Sequence, residues 1–274
     1  MSDILPPKKV VYEDLDGSRA RLVIEPLYPG YGTTLGNALR RVLLSSLHGA
    51  AIVSMKVQGV DHEFSQIQHV KEDMIQIMLN VKQISVKMNT TLDEPVTMRL
   101  NATGEKVVTA GDIEAPSDLT IGNPEHVIAT LTDPAANLDI EFTVMAGRGY
   151  EPVSERLSEN NDVGVIEIDA IYSPVVKVGM KTHNVRVDNM TNYDSLALDI
   201  ETDGTRTPED AVNEALDIII SQFRYIKTNA SAQDDSIEAD EAESGLEIEN
   251  TGDVDDDPEE TETVEEDSTK EGDD

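Results

Sequence analysis

The chain has 274 residues, a formal charge of −34 and no cysteine, so disulfide frameworks, thiolate metal sites and cysteine nucleophiles are excluded. No run approaches the about 18 apolar residues of a membrane-spanning helix, and the start, Met1 to Lys9, lacks the basic-then-apolar order of a secretory signal, so a soluble cytoplasmic protein is expected. Residues 230–274 carry 21 acids against Lys270, a net of −20, which leaves −14 on residues 1–229; repulsion from phosphates disfavours sequence-independent nucleic-acid binding.

In chain order, Val10 to Tyr12 and Ala20 to Glu25 read as strands around an Asp-Leu-Asp-Gly turn at 14–17. The glycine-rich stretch Gly30-Tyr31-Gly32-Thr33-Thr34-Leu35-Gly36 opens a helix that Gly49 closes. Leu35, Ala38, Leu39, Val42, Leu43 and Leu47 give it one broad apolar face, while Asn37, Arg41 and Leu44 fall on another at i, i+4, i+7. Arginine beside an apolar residue on an exposed face suits a protein interface. Ala51 to Val57 is again strand-like, and Val70, Met74, Ile77, Met78 and Val81 form a helical stripe over 70–81.

The next ninety residues alternate in short runs, at 85–88, 96–100, 106–108 and 138–144, with turns between them, and predict several strands. Gly147 to Tyr150 and the polar run through Asn161-Asp162 read as a surface excursion, and Val163 to Ile171 as a strand that Tyr172-Ser173-Pro174 stops or kinks. Strands are predicted at 175–187 and 195–201. Thr207-Pro208-Glu209-Asp210 then supplies an N-cap, a proline at the first helical position and two first-turn acids. The helix they start carries Val212, Ala215, Leu216, Ile219, Phe223 and Ile226 on one face over 208–226. The last 45 residues are too acidic and too poor in apolar side chains to offset chain entropy, and disorder is expected there.

Candidate chemistry is sparse. Gly30-x-Gly32-x-x-x-Gly36 has the strand and helix context of a dinucleotide loop but not its spacing, so a tight turn with Gly36 admitting close helix approach fits better. Asp199-x-Glu201-x-Asp203-Gly204 departs from a calcium-binding EF-hand loop in ligand type and in its strand lead-in; a turn before a capped helix explains it. The five histidines show no metal-ligand pairing, and no G-x-S-x-G elbow assembles a nucleophile.

The motif at 30–47, Gly-Tyr-Gly-Thr-Thr-Leu-Gly-Asn-Ala-Leu-Arg-Arg-Val-Leu-Leu-Ser-Ser-Leu, closely resembles the signature of the alpha subunit of bacterial RNA polymerase. The likeness continues in order through Gly59 to Phe64, Val70 to Asp73, Leu79 to Lys82, Gly147 to Tyr150, Asp169 to Pro174 and Asp199 to Thr205. It implies a non-catalytic scaffold: a homodimer that nucleates assembly of DNA-directed RNA polymerase by binding the beta and beta-prime subunits. The catalytic magnesium and the nucleotidyl-transfer site would belong to those large subunits, and no cofactor is expected in this chain.

By the resemblance, the helices at 34–47 and 208–226 form an isologous dimer seam, with Leu35, Leu39, Val42, Leu43, Val212, Leu216, Ile219 and Phe223 in it. The beta contact falls on Arg41 and Leu44 with Asn37 beside them, and the beta-prime contact on Lys82 and on Ile168, Ala170, Tyr172 and Ser173. The family's usual small DNA-binding domain has an acidic tail in its place here, so upstream-DNA recognition is not expected. The fold class is α+β: a discontinuous dimerisation domain over 1–49 and 175–229, an inserted β-rich domain over 50–174 and a disordered acidic tail over 230–274. A different class of explanation is a free-standing acidic homodimer acting as a chaperone for basic proteins.

Overall fold

The chain opens on a hairpin, β1 (Lys9–Asp14) and β2 (Arg19–Leu27), whose turn is tied by the Gly17 amide donating to Asp14 Oδ1 at 2.9 Å. The computed structural model describes residues 4, 6–89, 94–156 and 164–243, with side chains through 230. Helix α1 (Tyr31–Ser45) follows, then β3 (His48–Val57), helix α2 (Met74–Val81), β4 (Val86–Met88), β5 (Val96–Thr103) and β6 (Lys106–Thr109). Further on come β7 (Ile113–Glu114), β8 (Leu119–Ile121), β9 (Val127–Leu131), β10 (Asn137–Arg148), β11 (Tyr150–Glu151), β12 (Val165–Glu167) and β13 (Ala170–Ile171). The hairpin β14 (Val175–Val187) and β15 (Met190–Thr202) leads into helix α3 (Pro208–Glu243).

These elements make an α+β fold with two main sheets. The first is antiparallel in the order β1-β2-β15-β14, so it joins the beginning of the chain to residues after 174. Alternation in β15 sends Leu196, Leu198 and Ile200 to one face, where Leu39, Leu43 and Leu47 of the α1 segment and Ala211, Val212 and Ala215 of α3 cover them. The second sheet runs β7-β5-β10-β3-β4-β8 with β12 also on β3, and its core holds Met55, Met98, Leu100, Leu138, Ile140 and Phe142 beneath Met74 and Ile77 of α2. Two ribbons, β11–β13 and β6–β9, complete the paired strands. By contacts the chain divides into two units, Met1–Arg224 and Tyr225–Asp274; in the second, Tyr225 and Ile226 are exposed.

Several expectations shift. The stripe from 70 becomes a helix only at Met74, because the Asp73 side chain caps it by accepting from the Gln76 amide at 2.8 Å, while Val70 bridges to Leu131. Gly49 is not the helix stop: α1 ends at Ser45, and the glycine lies inside β3 where the Tyr172 carbonyl crosses it. Gly147 to Tyr150 is no excursion, since β10 runs through Arg148 and β11 begins at Tyr150; residues 157–162 of the expected excursion lie outside the described residues. Of the strand expected over 163–171, Val163 lies outside the described residues and the remainder breaks at Ile168-Asp169, where the Asp169 carboxylate turns to other partners. Helix α3 runs past 226 to Glu243, with no glycine or proline between Pro208 and Gly245 to stop it, so it takes in the first part of the segment read as tail. Residues 244–274, the remainder of that segment, lie outside the described residues.

Candidate assembly surfaces

Helix α1 is seated by a residue far along the chain. Asp194 of β15 accepts from the amides of Gly30 and Gly32 through the same Oδ2, at 2.9 and 3.0 Å, satisfying donors that a helix N-terminus leaves open. Gly30 takes up the left-handed φ of 87° there. One turn on, a β-carbon at Gly36 would overlap the Met180 sulfur and stand 2.8 Å from Leu196 Cδ1, so the glycine lets the helix axis lie close against β14 and β15.

That seating decides which of the apolar residues face inward. Gly32, Gly36, Leu39 and Leu43 are buried on the sheet. Leu35 is 39% exposed and Ala38 is exposed, a second strip turned away from it, while Val42 is half-buried and still packs against the core. On α3, Val212 is buried in the chain's own core, Ile219 is half-buried, and Leu216, Ile220 and Phe223 are exposed, Phe223 at 66%. The residues expected at a dimer seam thus separate into an inner set, Leu39, Leu43 and Val212, and an outer set of Leu35, Leu216 and Phe223 with Val42 and Ile219 between. Exposed large apolar side chains on two helices are the informative observation, because buried ones are already accounted for.

The Asn37–Arg41–Leu44 edge also separates. Asn37 and Arg41 are exposed, and neither Arg40 nor Arg41 has an ion-pair partner among the described residues. Leu44 is half-buried and leans on the core under the first sheet. Its place beside the arginines therefore has a packing cause in addition to any contact it makes outward.

The third surface centres on Lys82, whose ammonium meets Asp169 Oδ2 at 3.0 Å and lies 5.8 Å from the centroid of the Tyr150 ring. Asp169 Oδ1 accepts from the Val153 amide at 3.0 Å; that bond first, and Lys82 second, hold the carboxyl below its ordinary pKa. Of the residues expected here, Ile168, Ala170 and Tyr172 are buried and Ser173 is half-buried. The side chains that stand outward are Tyr150, 57% exposed, and Ile171, 51% exposed, which face each other across β11 and β13. Alternation along 168–172 carries this signal, since Ile171 is out of phase with Ile168, Ala170 and Tyr172. The Tyr172 hydroxyl donates to Glu151 Oε2 at 2.7 Å, and burial, followed by that carboxylate, pushes its pKa up to about 12.

Residues 53–173 match the family described as the RNA polymerase Rpb3/RpoA insert domain. The match covers a little under half of the chain: nearly all of the second sheet, α2, Lys82 and the Tyr150–Ile171 pair. The similarity is to a subunit of DNA-directed RNA polymerase. Among the described residues no group of three or more His, Asp or Glu side chains is placed to hold a metal ion, and no helix is long and apolar enough to cross a membrane. Sequence reasoning missed Asp194, whose partners lie on another element, Arg156, which bonds the carbonyls of Val53 and Ile168, and Tyr150, which reads in the sequence as part of a surface excursion.

Proposed function

We propose that this chain is an assembly subunit of cytoplasmic DNA-directed RNA polymerase, one that pairs with a second copy of itself and holds the two large subunits in which the magnesium-dependent chemistry takes place. The observation that carries this reading is the match of residues 53–173 to the Rpb3/RpoA insert domain. Supporting it are two helices of the first sheet with exposed apolar strips, Leu35 on one and Leu216, Ile220 and Phe223 on the other. A two-fold pairing through such strips buries surface that is otherwise costly in water. Arg41 and Asn37, exposed on a different side of α1, then face a beta-type subunit with Leu44 at their edge, and the Lys82–Ser173 face meets a beta-prime-type subunit.

The test is co-purification. Tagged full-length chain is expected to run at twice its mass by light scattering and to bring down both large subunits. Arg41→Ala should lose the beta-type subunit while keeping the dimer mass. If no polymerase subunit accompanies the parent chain, the reading fails.

A further inference from the structure

Arg156 follows the turn Val153–Glu155, and its side chain is 13% exposed. Nη1 donates to the carbonyl oxygens of Val53 at 2.9 Å and Ile168 at 3.2 Å, and the Ile168 amide itself donates to Val53 at 2.8 Å. Nε faces Glu151 Oε2 at 3.5 Å, the same oxygen that accepts from Tyr172. One guanidinium therefore touches β3, β11 and the break between β12 and β13. Yet Nε and Nη2 are enclosed and make no hydrogen bond among the described residues.

Nη2 has no partner and Nε stands only loosely against Glu151, so this guanidinium is incompletely compensated for leaving water, yet an apolar side chain in its place would strand Glu151 and both carbonyl acceptors. It contributes stability through those contacts, though less than a fully bonded guanidinium would. What it adds is geometry, because the named strands break between Glu167 and Ala170, and there the single Ile168 amide bond to Val53 is reinforced by Arg156 bonding the carbonyls on both sides of it. We propose that Arg156 is a positioning residue that clamps the β11–β13 ribbon onto β3, and thereby presents the exposed Tyr150–Ile171 pair to an apolar side chain of a large polymerase subunit. The second half of this rests on the assembly reading above; the clamp itself does not. An aromatic and a β-branched side chain side by side, with their backbones held, lose little freedom on binding, which is what an interface anchor requires.

The full-length chain serves for the test, as parent, Arg156→Met and Arg156→Lys. Arg156→Met, which takes the donor from two carbonyls and the partner from Glu151, is expected to melt about 3–10 °C below the parent. Its Ile168 and Tyr172 amides should exchange with deuterium about tenfold faster while those of β10 and β15 change less. Capture of a large subunit should fall about tenfold. Arg156→Lys, which keeps the charge but lacks the planar fork, should restore exchange only in part. Unchanged exchange at Ile168 and Tyr172 overturns the clamp, as does exchange that quickens equally throughout both sheets. Full capture by a loosened Arg156→Met overturns the presentation of Tyr150 and Ile171. If the parent captures no large subunit but exchange changes as expected, the clamp stands and the assembly reading falls.

Discussion

At Gly49 an added β-carbon would overlap the carbonyl oxygen of Tyr172, a backbone atom that cannot swing aside. At Gly36 the obstacles are the ends of Met180 and Leu196, which can. Gly49→Ala should therefore cost about 3 kcal/mol or more, and Gly36→Ala about 1–2 kcal/mol, in urea unfolding of the full chain; equal costs would contradict the distinction. Tyr172 adds a pH dependence. Its folded pKa lies above the unfolded value near 10, so the protonated hydroxyl contributes stability that is fully present below about pH 10 and is lost as pH rises towards about 12. Tyr172→Phe should lower stability at neutral pH by about 1 kcal/mol and flatten the alkaline fall; a mutant with the same alkaline slope as the parent would assign it elsewhere. The need for glycine at 36 was legible from a local pattern, since a helix packing on a sheet needs a small residue at close approach. That at 49 was not, because Tyr172 reaches it from a distant part of the chain.

At the scale of elements, the apolar stripes on α1 and α3 were legible, but their division was not. Periodicity marks every apolar position on one side of a helix, and the sheet covers only the part that Gly32 and Gly36 bring against it. The same limit explains the third surface, where Ile168, Ala170 and Tyr172 are expected at the contact yet point inward. The division predicts two kinds of mutant. Phe223→Glu and Leu35→Glu place a charge on side chains already exposed in the protomer, so circular dichroism and the melting midpoint should stay close to the parent while light scattering shows loss of self-association. Leu43→Glu puts a charge into a fully buried site and should cost several kcal/mol, enough to unfold the chain. If Phe223→Glu and Leu35→Glu leave the mass unchanged, the outer strips are not a pairing surface. Thr207 makes a smaller, separate point: it accepts from the Asp210 amide at 3.2 Å, and Thr207→Ala should cost about 1 kcal/mol in the same unfolding assay.

Across Met1–Arg224, the two sheets have separate cores, and the order β1-β2-β15-β14 could not be derived from strand patterns, which say that a segment is half-buried but not which segment it pairs with. Where the sheets meet, a cavity of about 530 Å³ has a mixed lining, with Val86, Met88 and Pro174 beside the charged or polar His48, Lys87, Asp203, Arg206 and Glu214. Glu214 is central to it: Oε1 accepts from the His48 amide at the start of β3 at 3.2 Å, and Oε2 pairs with Arg206 just before α3. Asp203 beside them has its pKa raised, chiefly by burial, so this joint is an unfavourable place for a further uncompensated charge. Removing Glu214 opens the His48 amide and leaves Arg206 without this carboxylate; with both ion-pair partners a quarter to a third exposed, water recovers part of the loss, and about 1–2 kcal/mol is expected. The larger effect should be on cooperativity, because the carboxylate ties the second sheet to the helix that covers the first. In rising urea, Glu214→Ala should release the amides of β15 before those of β10, whereas the parent loses both together. Loss of protection in both sheets at one urea concentration in the mutant would show that the cores are coupled through some other contact.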